Sequence, residues 1–312
     1  MPNMPTRSDE SRSAERAAGR GQWTAQTNTP KRSVFGNYRA ESAPVSDPAR
    51  SDEQPRHAGA GKGASLQSSI DLAIARSFIH RYLAKAFEDP APEGWEWLCA
   101  RETQESLRAA SDIVGTPSVP VAAFSPGAWD SFFNACLAAF GHAARGCCPL
   151  NEIEYGDIKA DPLFQPHRLA DLAAFYRAFG LEVAEDAGER QDHICLELEF
   201  MCVLAAKEAY ALEYQLDPDQ LAQCRGAQKN FLREHLGRWT PAFTRRLAAA
   251  TSDPTLRSLA EFTRAFIESE CARFGVKPGS EELSLRPVDE AADRMCDACG
   301  LDKLPPGALA AT

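Results

Sequence analysis

The chain has 312 residues, 44% of them hydrophobic, and a net charge of −10, enough apolar material for a sizeable core in one large domain or two ordinary ones. Residues 1–65 hold ten Lys/Arg against seven Asp/Glu, leaving 24 against 37 in the rest, so a +3 tail precedes a −13 body that repels nucleic acid and anionic lipid and suits a cationic partner. No run of roughly 18 apolar residues offers a membrane span and no apolar stretch of about 7–15 residues at the N-terminus marks an export signal, so a cytoplasmic protein without stable membrane insertion is expected.

Residues 1–65 are rich in Ser, Pro, Gly, Arg and Ala, with few large apolar side chains apart from Val34, Phe35, Tyr38 and Val45. Burial there cannot offset the entropy of ordering, and a disordered tail is expected. From Leu66 the pattern changes. Leu66, Ile70, Ala73, Ile74, Ser77, Phe78, Tyr82 and Leu83 recur at three- and four-residue intervals, the stripe of an amphipathic helix that ends near Asp89-Pro90. A second helix carries Trp95, Trp97 and Leu98 down to Val114, and Ser125-Pro126 opens a third through Phe140. A short helix from Asp171 to Phe179 closes at Gly180, and another runs from about Glu189 to Leu216. Asp217-Pro218, Thr240-Pro241 and Asp253-Pro254 each read as the start of a further helix. With no strand alternation, Gly-rich phosphate loop or repeat, the fold class is all-α, a single helical-bundle domain over 66–280 with a C-terminal extension at 281–312.

Three segments hold the candidate functional residues. In Glu189-Arg-Gln-Asp192-His193-Ile-Cys-Leu-Glu197, helical spacing puts His193 and Glu197 on one face with Leu196, Phe200 and Met201, and Cys195 on the opposite side from His193. The pair reads as a hydrogen-bonded packing contact, as an oriented general base of an enzyme, or as two metal ligands, too few for a site alone. In Asn151-Glu-Ile-Glu154-Tyr155-Gly156-Asp157 three carboxylates flank an aromatic ring, a pattern that suits a guanidinium and equally a solvated helix end. In Phe231-Leu-Arg-Glu-His235-Leu-Gly-Arg-Trp239, His235 and Trp239 stand one turn apart near a helix terminus.

All ten cysteines lie after residue 98, within helical patterns that suit reduced, buried thiols. Cys296-x-x-Cys299 reads as half of a zinc or iron–sulfur site, as a redox pair, or as neither, and Cys147-Cys148 supplies two further thiolates if the four meet in space. A metal-binding or redox-sensing helical protein built on Cys296 and Cys299 is therefore the alternative functional reading.

Taken together, Glu152 to Gly156, the stretch with Phe164, Pro166, Leu169-Ala-Asp171, Phe175-Tyr176 and Ala178 to Leu181, Glu189 to Met201, and Phe231 to Trp239 resemble the TorD/DmsD/NarJ family of redox-enzyme maturation chaperones, TorD-like members most closely. The resemblance covers about residues 66–275. It implies a non-enzyme that holds the twin-arginine leader of a molybdenum-containing catalytic subunit, as monomer or dimer, and delays export until the cofactor is inserted. It requires no cofactor of its own and leaves contact with the molybdenum cofactor open. It further implies that Asp192 and His193, at a loop-to-helix junction, help form the leader site, with Glu154, Tyr155, Glu197 and Phe200 beside them and His235 and Trp239 as partner contacts. The 65-residue tail and the Cys-x-x-Cys pair depart from the common pattern.

Overall fold

The computed structural model describes residues 60–116, 124–141, 146–156, 164–184 and 188–287. Among them are nine α-helices, α1 (Ala60–Ala86), α2 (Pro92–Cys99), α3 (Arg101–Val114), α4 (Trp129–Phe140), α5 (Phe164–Ala178), α6 (Ile194–Glu213), α7 (Pro218–Glu234), α8 (Leu236–Ala250) and α9 (Pro254–Phe274), and no strand. The protein is all-α, as its periodicity predicts. No described helix is long and apolar enough to cross a membrane.

Helix α1 packs along α6, α8 pairs with α9, α3 lies against α1, and α7 bridges α6 and α8. The stripe explains the first contact: Ile79, Tyr82, Leu83 and Phe87 are buried, as are Leu196, Phe200, Met201 and Leu204 of α6. At about 1.5–3 kcal/mol for each large apolar side chain removed from water, this shared core dominates the stability of the bundle.

Helix boundaries differ from the sequence expectation where chemistry other than hydrophobic spacing decides them. Helix α1 begins at Ala60, six residues before the apolar stripe opens at Leu66. Thus 60–65 is helical, while the rest of the expected tail, including Val34 to Tyr38, lies outside the described residues. The expected helix from Trp95 to Val114 is two, parted at Ala100, whose backbone is extended (φ −58°, ψ 137°). No glycine or proline marks that break. The Gln104 amide donates to the Leu98 carbonyl and, at 3.2 Å, to the Tyr82 hydroxyl, satisfying groups that the break exposes. Ser125-Pro126 opens a 3₁₀ turn, Pro126–Ala128, ahead of α4. Helix α5 starts at Phe164, seven residues before Asp171.

Asp217 and Asp253 are N-caps, accepting from Asp219 N–H and Leu256 N–H at 2.9 Å each. Thr240-Pro241 is not a start: Pro241 sits inside α8. Its missing N–H frees the Gly237 carbonyl one turn back, and the Gly279 N–H takes that carbonyl at 2.9 Å. Both glycines are required by close approach. A Cβ on Gly237 would overlap the Leu232 carbonyl, and one on Gly279 would overlap the Arg238 carbonyl.

Candidate functional site

The junction before α6 is organised by Asp192, which is fully buried. Its Oδ1 accepts from Asn151 Nδ2 (3.2 Å) and Arg190 Nε (3.0 Å), and its Oδ2 from Ile153 N–H (3.2 Å) and the Arg190 terminal nitrogen (2.8 Å). Main-chain bonds complete the seam, Glu152 N–H to Asp192 O and Ile194 N–H to Leu150 O, both 2.9 Å. One carboxylate therefore stitches the 150–153 segment to the start of α6, and its bidentate partner Arg190 remains half exposed.

His193 is the N-cap of α6, not a member of its first turn (φ −75°, ψ 139°). Its Nδ1 accepts from Cys195 N–H at 3.3 Å and lies 2.9 Å from Cys195 Sγ. This overturns two sequence expectations. Cys195 is beside His193, because a cap residue folds its side chain back over the first turn, and the Glu197 carboxyl is not hydrogen-bonded to the His193 ring. Burial pulls the imidazole down to about 4, with Asp192 opposing the shift and Arg190 adding to it. Burial also pushes the Cys195 thiol well above its ordinary range. A neutral ring accepting from a thiol is the opposite of the thiolate–imidazolium pair that nucleophilic catalysis uses.

Glu197 instead reaches α8, where its Oε2 accepts from Trp239 Nε1 at 3.1 Å. Burial, then Glu152 nearby, raise its carboxyl well above the ordinary value. Its Oε1 has no partner among the described residues. Tyr155, fully buried, packs against Trp239 with the rings tilted and their centroids 5.1 Å apart and donates its hydroxyl to Pro149 O at 2.9 Å. Phe200 belongs to an aromatic cluster with Phe175, Tyr176, Phe179 and Phe231.

Glu152 and His235 form the second half of the site. His235 is the single residue between α7 and α8 (φ −121°, ψ −101°). Its Nδ1 faces Glu152 Oε2 at 2.8 Å and its Nε2 faces Asp171 Oδ2 at 3.1 Å, so one imidazole ties together two carboxylates distant in sequence. Arg238 donates to Glu152 Oε1 (3.0 and 3.2 Å) and to Tyr155 O (3.3 Å). The acid-rich segment does receive a guanidinium, but from its own chain. Asp157 lies outside the described residues.

The fold thus gathers Glu154, Tyr155, Asp192, His193, Glu197, His235 and Trp239 around the 150–156 segment, with Phe200 one ring further in, against Phe175 and Phe231 that touch His235, and all but Glu154 are buried. Glu154 lies 4.0 Å from the half-exposed Arg190 with its own side chain mostly covered, and Asp171, paired with His235, is half-exposed. Cys147 and Cys148 have sulfurs 3.7 Å apart, and burial followed by Cys147 pushes Cys148 up to about 12. Cys296 and Cys299 lie outside the described residues. Among the described residues no group of three or more His, Cys, Asp or Glu is placed to hold a metal ion.

Residues 134–245, from within α4 to within α8, match the family model of the nitrate reductase delta subunit. The chain is 30% identical over 240 residues to the dimethyl sulfide dehydrogenase assembly chaperone protein of Rhodovulum sulfidophilum, covering 72% of this chain and 92% of that protein. The chain belongs to the TorD/NarJ family of assembly chaperones. It is also 34% identical over 112 residues to the selenate reductase assembly chaperone protein of Thauera selenatis (34% of this chain, 56% of that one). A further similarity, 27% over 119 residues, is to the chaperone protein TorD of Vibrio cholerae (38% of this chain, 52% of that one). In these last two the chain spans about half the relative's length. These relatives are named as assembly or TorD chaperones, and the chain is a member of that chaperone family.

One cluster of this family member escaped the sequence reading. Arg76 of α1 is buried, and its guanidinium donates to Glu270 of α9 (2.6, 2.8 and 3.0 Å), Glu208 of α6 (2.8 Å) and Gln228 of α7 (2.6 Å). Four helices meet on one cation. An arginine beside an apolar stripe reads as a solvated edge, and only the three distant polar partners, none at helical spacing to it, reveal otherwise.

Proposed function

We propose that the chain is a cytoplasmic chaperone that binds the twin-arginine leader, the apo form, or both, of a molybdenum-containing catalytic subunit, assisting cofactor insertion and delaying export. The observation that carries this reading is the similarity to the dimethyl sulfide dehydrogenase assembly chaperone, which extends over 92% of that relative. Two features of the site support it. The body carries −13, and Glu154 and Asp171 stand at the rim of an aromatic interior, so arginines meet carboxylates and the apolar part of a leader meets rings. Because Asp192, His193, Glu197, Phe200, His235 and Trp239 are buried, they act from beneath, by holding the rim, and the exposed Asp171 and the partly covered Glu154 meet the peptide.

Fluorescence anisotropy with a labelled synthetic leader tests the reading. A peptide with two adjacent arginines ahead of an apolar stretch should bind saturably and more weakly as salt rises. Replacing both arginines by glutamine, or Glu154→Gln in the chaperone, should weaken it. Binding indifferent to the arginines would overturn the proposal.

A further inference from the structure

After α9 the chain turns at Gly275, whose left-handed φ of 62° caps the helix, and returns across the bundle as far as residue 287. Gly279 is fixed on the carbonyl that Pro241 frees, and Glu281 and Glu282 pair with Arg245, Glu281 also with Arg264 at 2.5 Å. Residues 284–286 then run antiparallel to 154–156. Gly156 N–H donates to Ser284 O at 3.0 Å and Arg286 N–H donates to Glu154 O at 2.9 Å, on either side of the Tyr155/Leu285 pair. The register sets Leu285 against Tyr155 and Arg286 opposite Glu154.

Like the Asn151/His193 pairing at the other end of the same segment, this is an antiparallel main-chain contact among helices, and it falls on the segment that organises the candidate site. Its two bonds are main chain to main chain, so any extended segment can make them. The donor at Gly156 is presented at φ 142°, a conformation that side-chain-bearing residues rarely adopt. The segment is shallowly seated: Leu283, Leu285 and Arg286 are only partly buried and Ser284 and Pro287 are exposed. A groove of about 420 Å³ opens between Glu281–Leu283 and α8.

We propose that the 154–156 edge is a strand-docking site for an extended, arginine-bearing client segment, and that residues 283–287 occupy it in cis until the client replaces them. The inference rests on the leader-binding reading above and adds its mode and its regulation. The client's main chain takes over the bonds to Gly156 N–H and Glu154 O, an apolar client residue covers Tyr155, and a client arginine takes the place of Arg286 opposite Glu154.

Hydrogen exchange on the full chain, free and saturated with the synthetic twin-arginine leader, tests this directly. Residues 283–287 should lose protection in the complex while Gly156 keeps its own. Arg286→Pro, which removes the N–H that Glu154 accepts, should bind the leader roughly three- to tenfold more tightly, the range set by one main-chain hydrogen bond. Arg286→Ala, which keeps that N–H, should gain less. An Arg286 amide still protected at saturation overturns the exchange while leaving leader binding intact, and so does an Arg286→Pro affinity equal to that of the unaltered chain. Absence of binding to the unaltered chain and both variants overturns the exchange and the leader-binding reading together.

Discussion

Replacing Glu270 by glutamine keeps the shape of the side chain at the centre of the four-helix cluster and removes its charge. Burial by itself pushes this carboxyl up, but Arg76 against it and His80, with Nε2 at 3.3 Å, hold it instead at about 2, below the ordinary 4.5. At about 1.4 kcal/mol for each tenfold change in proton affinity, that difference is worth about 3 kcal/mol of folding stability near pH 7. This is a large share of the roughly 5–15 kcal/mol that holds a domain together. The sign follows from which state takes the proton first. Since the folded value lies below the unfolded one, the contribution is complete above about pH 5 and is lost as pH falls through 4.5 towards 2. The glutamine variant has no such term. Urea unfolding followed by tryptophan fluorescence should therefore show the unaltered chain ahead by about 3 kcal/mol at neutral pH and by about 2 kcal/mol near pH 3.5. A gap that stays constant or widens on acidification would refute the assignment of that stability to the Glu270 carboxylate.

Two further perturbations address the site itself. His193→Asn keeps an acceptor for the Cys195 N–H but does not titrate; because the folded ring lies near 4 and the free one near 6.5, the unaltered chain should lose up to about 3 kcal/mol more than the variant between neutral pH and about pH 4, measured by urea midpoints. Equal pH slopes would sink that account. Gly279→Ala should lift the returning segment off the Arg238 carbonyl, and the Arg286 amide, which donates to Glu154 O, should then exchange with solvent faster than in the unaltered chain; an unchanged exchange rate would mean that the anchor lies elsewhere.

Much of the bundle was legible because apolar spacing and proline-led caps act locally. Leu66 to Leu83 announced α1, and Asp217-Pro218 and Asp253-Pro254 announced α7 and α9. Two of the failures come from partners brought from far along the chain, and a third from a cap. Pro241 looked like a start because its freed carbonyl is satisfied 42 residues on, by Gly279. Glu197 was paired with His193 by spacing, whereas Trp239 claims it across the core. His193 and Cys195 looked opposed because a helix was drawn through a residue that is its cap. The candidate residues were found through their order along the chain, yet that order said nothing of burial, and so Glu154 was not distinguished in advance from the residues beneath it.

The pairing of Gly279 with the carbonyl freed by Pro241 has a consequence for how this protein can change over evolutionary time. A residue other than proline at 241 brings its own N–H, closes the α8 ladder onto Gly237 and evicts Gly279. The two positions are thus one character with two halves, and relatives should be found with both or with neither. Where the proline is gone, the chain beyond α9 has lost its foothold and is released to acquire a different length, sequence or task.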